Sequence, residues 1–253
     1  MKILVSDPLS PQGIELLQQY ARVEFRPNLN PEELQKIIAD YDALIVRSHT
    51  RVTAPIIQAG QRLKVIGRAG VGVDNIDVSQ ATAQGIIVVN VPEANTVSVA
   101  ELTLALLASL ARNIPGANYS VKAGEWNRQQ FLGVELYQKI LGLIGLGHIG
   151  SEVARRARAL GMNVLAHDPH VSAEYAAKIG VELVDLPYLL GQADFISLHV
   201  PLIPATRHLI GAQELSLMKP EAMLINCARG GVVDEQSLYT ALCEGRIAGA
   251  ALD

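Results

Sequence analysis

Cysteine is nearly absent. Cys227 and Cys243 are the only two in 253 residues. That is too few for a disulfide framework, so the fold must rest on an apolar core, and a reducing compartment is the default. Positive charge is also scarce. Lys and Arg number 21 against 25 Asp and Glu, for a net charge of −4. This balance argues against nucleic acid or an anionic membrane surface as partner. Long hydrophobic runs are missing too. The longest helical apolar segment, Leu102 to Ala111, is too short to span a bilayer. The first apolar run is cut off by Ser6, Asp7 and Pro8, the pattern of a strand rather than of a signal peptide. The expected compartment is the cytoplasm. None of the six histidines (His49, His148, His167, His170, His199, His208) stands in metal-ligand spacing or in a Ser/His/Asp order, so no metal is expected.

What is present is a globular composition, 49% hydrophobic, in a chain long enough for one large or two modest domains. Short apolar runs alternate with helical patterns. Strands are expected at Ile3–Ser6, Val23–Phe25, Ala43–Arg47, Val65–Gly67 and Ile86–Asn90. Ser10-Pro11 and Asn30-Pro31 start helices, with Glu33 completing a capping box. Such alternation implies a parallel sheet with helices on its faces. Residues 95–112 read as one helix opened by a Ser98-x-x-Glu101 box. It is apolar nearly all round and so should be buried, between domains or in a subunit interface. A polar excursion holding Trp126 follows. From Tyr137 a second series begins, with strands at Ile140–Ile144, Asn163–His167, Glu182–Val184, Phe195–His199, Ala222–Asn226 and Ile247–Leu252. A helix capped by Asp234 should bury Leu238, Ala241 and Leu242. The expected fold class is α/β with two parallel-sheet domains. The last strand reads as a core strand at a bare C-terminus, which suggests a fragment.

The second series opens on Ile140-Leu-Gly-Leu-Ile-Gly-Leu-Gly-His-Ile-Gly150. Strand, glycine turn and helix come in the order a dinucleotide pyrophosphate requires. Gly145 allows the tight turn, Gly147 removes the Cβ that would block the phosphate, and Gly150 lets the helix pack on the strand. The next strand ends in Asp168, the expected place for a ribose-binding acid. A carboxylate there favours NAD over NADP, since Pro169-His170-Val171 supply no arginine for a 2′-phosphate. The competing reading is an ordinary Gly-rich βαβ turn with a surface Asp.

Three further stretches stand at strand ends. Arg68-Ala-Gly70-Val-Gly72 could gather backbone N–H groups around a small anion, or be a simple turn. Asn226-Cys227-Ala228-Arg229-Gly-Gly places an arginine, with its planar fork, where α/β sheets bind ligands; an exposed loop arginine is the alternative. Arg47-Ser48-His49 is similarly placed, with a surface arginine equally plausible. His199 reads as a packing residue. Cys227 has no neighbouring base.

Together, Val46-Arg47-Ser48, Gly67 to Ile76, Leu143 to Gly150 and Asn226 to Glu235 make the chain resemble the D-isomer-specific 2-hydroxyacid dehydrogenases over essentially its whole length. The resemblance implies a flavodoxin-like lid or substrate domain over 1–95. A Rossmann-type NAD-binding domain follows over 96–253, incomplete at its C-terminus. It implies that Arg229 holds the substrate carboxylate and polarises the C2 oxygen, and that Gly70-Val71 cradles that carboxylate. It also implies that Arg47, with Ser48 beside it, and Arg128, reaching across a homodimer or larger homo-oligomer, meet a substrate phosphate. The implied cofactor-binding set is Val71, Gly145, Gly147, His148, Ile149, Gly150, Asp168, Val200, Pro201, Thr206, Cys227, Ala228, Arg229 and Asp253. Val71 and Val200 stand where the family often carries Thr. The family's acid–base histidine and its supporting glutamate fall beyond Asp253 by spacing. The expected partner is a small 2-hydroxy acid, D-3-phosphoglycerate being favoured by the two arginines. Glyoxylate, hydroxypyruvate and D-lactate are alternatives within the family, and an NAD-sensing corepressor is one outside enzymology.

Overall fold

Small polar caps and first-turn prolines set the helix starts. In the computed structural model, which describes all residues Met1–Asp253, Ser10 accepts from the Gly13 N–H ahead of Pro11, and Asn30 and Glu33 form a reciprocal capping box ahead of Pro31. The chain divides into two compact units, Met1–Asn95 and Thr96–Asp253.

The first unit alternates β1 (Lys2–Val5), α1 (Pro11–Gln18), β2 (Arg22–Phe25), α2 (Pro31–Ile37), β3 (Ala43–Val46), α3 (Ala54–Ala59), β4 (Val65–Arg68), α4 (Val78–Ala83) and β5 (Ile87–Val89). Its sheet is parallel, in the order β2-β1-β3-β4-β5, the flavodoxin-like order. Leu4, Leu44, Val46 and Ile66 face Leu34, Ile56, Ile57 and Ala81 of α2 to α4. Ile3, Val5 and Ala43 on the other face pack against Leu17 of α1.

The second unit runs α5 (Thr96–Ala111), α6 (Ile114–Lys122), β6 (Ile140–Ile144), α7 (His148–Ala159), β7 (Asn163–His167), α8 (Ala173–Lys178), β8 (Glu182–Leu183), α9 (Leu186–Gln192), β9 (Phe195–Leu198), α10 (Ala212–Leu217), β10 (Met223–Asn226), α11 (Glu235–Cys243) and β11 (Gly249–Leu252). Its six strands are parallel in the order β11-β10-β9-β6-β7-β8, the Rossmann arrangement. Leu141, Leu143, Phe195 and Ile225 meet α5 and α7 on one face. Leu165, Ile196, Leu198 and Leu224 meet α9, α10 and α11 on the other. Phe195, 1% exposed, is among the largest buried side chains here; burying such a group contributes about 1.5–3 kcal/mol.

Two local expectations fail. The turn at residues 92–95 runs straight into α5, so Ser98 lies in the first helical turn and is not the cap. The same helix buries a single stripe, Ala100, Thr103, Leu107 and Ala111, and leaves Leu102 38% exposed. Within this unit the covered side is the one facing the sheet and α7. On α11, Asp234 caps as expected and Leu238 and Ala241 are buried, but Leu242 points outward. No single helix is long and apolar enough to cross a membrane.

Candidate functional site

In the second unit the strand order reverses between β6 and β9. Crossovers leave on opposite faces there, which opens a crevice at the carboxyl ends of the two strands. The glycine turn fills one side of it. Gly145 has φ +96°, and a Cβ there would lie 2.5 Å from the His199 carbonyl oxygen and 3.0 Å from Val200 Cγ1. A Cβ on Gly150 would lie 2.2 Å from the Gly145 carbonyl oxygen. Packing therefore requires both glycines. Gly147 is different, because a Cβ there meets nothing within 4 Å. It is the N-cap of α7 and brings no capping side chain. His148 and Ile149 begin that helix, His148 exposed and Ile149 half-buried. The open space over Gly147, the first-turn N–H groups and the positive end of a 12-residue helix suit an anionic diphosphate. These residues fit a dinucleotide.

Asp168, just past β7, closes the same turn. Its Oδ2 accepts the Leu146 N–H at 2.8 Å and its Oδ1 the His170 N–H at 2.9 Å. Each oxygen keeps acceptor capacity, as recognition of ribose hydroxyls needs. The Ser151 hydroxyl donates to the Leu146 carbonyl at 3.1 Å and braces the turn from the helix side.

His199 sits behind the glycines. Its backbone N–H donates to Ile144 O at 2.7 Å and its ring Nε2 lies 3.0 Å from Ser197 Oγ. Burial pushes its pKa down to about 4, so the ring is neutral near pH 7 and packs rather than transfers protons. Val200 touches the glycine turn, and Pro201 opens a loop that Thr206 closes. The Thr206 hydroxyl accepts from the Ile203 N–H at 2.9 Å and donates to the Pro201 carbonyl.

The stretch after β10 is held by Asn226, which sequence reasoning passed over. Its side chain donates to Arg229 O at 3.0 Å and accepts the Ala228 N–H at 2.9 Å. The Asn226 carbonyl accepts the Asp253 N–H at 3.0 Å, which sets the end of β11 beside this loop. Arg229 is half-buried and donates to Ala228 O at 2.7 Å. Cys227 is 8% exposed and burial pushes its thiol pKa up, which makes it inert. Arg128 stands apart, exposed on the 3₁₀ turn Arg128–Phe131 near the 76% exposed Trp126.

In the first unit the sheet order reverses between β1 and β3. Arg47 and Ser48 follow β3 directly and are exposed. Gly70-Val71 follows β4 on a turn whose carbonyls accept from Val91 N (3.0 Å) and Asn90 Nδ2 (2.6 Å). One detail departs from a simple backbone cradle. The Gly70 N–H donates to Arg68 O at 2.8 Å inside the turn, and the Arg68 guanidinium covers Gly70, 1.5 Å from where a Cβ would be. The Gly70 N–H is thus already used within the turn. Asp7, Asn75 and Asn90 were also unforeseen. An Asp or Asn just past a strand is a weak signal, because turns are rich in both.

Comparison with known proteins agrees with this geometry. Residues 104–253 match the family model described as D-isomer specific 2-hydroxyacid dehydrogenase, NAD binding domain. The chain is 56% identical to D-3-phosphoglycerate dehydrogenase of Methanocaldococcus jannaschii and 55% identical to that of Synechocystis, in each case over all of this chain. It spans 48% and 46% of those two proteins, about half their length. Among solved structures, a D-lactate dehydrogenase from Aquifex aeolicus complexed with NAD and lactic acid superposes with a TM-score of 0.92 at 33% identity. That match covers all of this chain and 76% of the other.

Proposed function

Because the chain belongs to the D-isomer-specific 2-hydroxyacid dehydrogenases, we propose that the whole protein oxidises D-3-phosphoglycerate at C2 to 3-phosphohydroxypyruvate with NAD. The observation that carries this reading is the joined pair of an open Gly147 at the α7 N-terminus and Asp168 anchored to Leu146. When bound, NAD supplies the hydride acceptor. The turn at Gly145, Gly147 and Gly150, with the N–H groups opening α7, holds the pyrophosphate. Asp168 accepts from the ribose hydroxyls and repels a 2′-phosphate. Ile149, Val200, Pro201, Thr206, Cys227, Ala228 and Asp253 complete the cofactor's surroundings. Arg229 grips the substrate carboxylate with its planar fork and stabilises charge developing on the C2 oxygen. Arg47 and Ser48 meet the phosphate, joined by Arg128 from a second copy in a homo-oligomer. The two relatives named D-3-phosphoglycerate dehydrogenase support the substrate.

Fluorescence titration with NADH and NADPH, followed by turnover assays on D-3-phosphoglycerate, D-lactate, glyoxylate and hydroxypyruvate, tests this. Tight NADH binding and preferred turnover of D-3-phosphoglycerate are expected. Equal affinity for NADPH overturns the cofactor assignment, and faster turnover of an unphosphorylated acid overturns the substrate. NADH binding with negligible turnover of every acid would instead mark a sensor.

A further inference from the structure

The reversal point of the first sheet carries a clamp that the proposed reaction has not yet used. Asp7 lies two residues past β1, and Arg47 is the first residue past β3. The two strands are neighbours, with Val5 paired to Ile45. Asp7 is 1% exposed. Its carboxylate accepts the Arg47 N–H at 2.6 Å, the Thr50 N–H at 3.1 Å and the Thr50 hydroxyl at 2.7 Å. The Thr50 hydroxyl is itself 3.1 Å from the buried Ser6 hydroxyl. From the opposite side, the Asn75 amide donates to Arg47 O at 2.8 Å and to Thr50 O at 2.6 Å. Both backbone polar groups of Arg47 are thereby fixed by side chains from two other segments. Asn75 belongs to the loop after β4 that also carries Gly70-Val71, and its own carbonyl accepts the Val52 N–H at 2.7 Å. The loops that present Arg47 and Gly70-Val71 are tied into one surface.

A buried carboxylate costs free energy unless its hydrogen bonds are made. A connection between a strand and a helix needs no such group, since turn backbone and water can satisfy it. The clamp leaves the Arg47 guanidinium exposed while holding its Cα still, and its Nη1 reaches back to Pro8 O at 3.4 Å. This is how a site lowers the ordering cost of a long cationic side chain before an anion arrives.

We infer that Asp7 and Asn75 are positioning residues that pre-orient Arg47 for the anionic group of the substrate. The inference rests on the substrate role proposed for Arg47.

The test is steady-state kinetics of the whole enzyme on D-3-phosphoglycerate, with NAD affinity measured alongside. Asn75→Ala should raise KM about tenfold, with kcat and NAD affinity little changed. In the Arg47→Ala background the same substitution should add nothing, because the clamp acts through Arg47. Asp7→Asn, which keeps a carbonyl oxygen for the Arg47 N–H, should restore most of what Asp7→Ala loses. Should Asp7→Ala fail to fold, the Asn75→Ala cycle decides alone. An unchanged KM in Asn75→Ala, or full additivity with Arg47→Ala, overturns the inference. An unchanged KM in Arg47→Ala itself overturns the substrate role of that residue instead.

Discussion

Asp168 accepts the Leu146 N–H at 2.8 Å, so the acid at the end of β7 and the glycine turn after β6 form a single hydrogen-bonded unit. Removing the carboxylate should therefore have two effects. Asp168→Ala removes the acceptor proposed for ribose along with the Leu146 bond, and should weaken NAD binding about tenfold or more. Loss of its negative charge should admit NADP. Asp168→Asn keeps an acceptor for Leu146 and should hold NAD better than Ala while still losing discrimination. Calorimetric titration with both dinucleotides checks this, and unchanged NAD affinity in the Ala variant would count against the assignment.

Gly147 and Gly150 should respond oppositely to alanine. At Gly150 the new methyl meets Gly145 O at 2.2 Å, backbone that cannot step aside, so Gly150→Ala should lower the melting temperature. At Gly147 the φ of −73° suits any residue and the space is open. Gly147→Ala should melt like the parent yet bind NAD at least about tenfold more weakly, because the methyl occupies the phosphate's approach. Melting curves with and without NAD separate the two.

Asn226→Ala should strip the Arg229 loop of two hydrogen bonds. At 7% exposure it leaves Arg229 O and the Ala228 N–H without these partners, a loss of roughly 1–3 kcal/mol. Arg229 would lose its fixed backbone, so kcat/KM for the substrate should fall about 10- to 100-fold. A drop in melting temperature with unchanged kcat/KM would show Asn226 to be structural only.

His199 should make stability depend on pH. Its folded pKa, pushed down to about 4 by burial, lies below the ordinary histidine value of 6.5. Between those values the unfolded chain binds the proton and the folded chain does not. Stability is thus fully present above pH 6.5 and lost as pH falls toward 4, by on the order of 3 kcal/mol in total. Paired carboxylates such as Glu152, lowered from 4.5 to about 2 by Arg155 and Arg156, lose their contribution only below about pH 4.5. The interval from 6.5 to 4.5 therefore isolates the histidine. His199→Gln should flatten the melting temperature across it, and a slope as steep as the parent's would refute this.

Much of the fold could be read in advance because each strand is a short apolar run between turn signals. β6 and β7 begin and end where their patterns do. Periodicity was less informative about what covers a helix. α5 and α11 carry more apolar side chains than this chain buries, and Leu16 of α1 stays 55% exposed. In the candidate site the turn glycines were legible, because a Cβ at Gly145 or Gly150 has no room. The staples between loops were not. Asp7 and Arg47, or Asn226 and Asp253, are brought together by strand pairing, and an Asn or Asp in a turn looks the same in sequence whether it braces a site or caps a loop.

The position of β6 at the reversal of the second sheet also bears on the order of assembly. Leu141 pairs with Val164 on one side and with Phe195 on the other. The first contact closes a short loop through α7, whereas the second must wait for α8, β8 and α9. Loop-closure entropy favours the nearer pair. The unit β6–α7–β7, with its glycine turn and Asp168, can thus form early in folding, and the strands that deliver Arg229 dock later onto a finished nucleotide-binding edge.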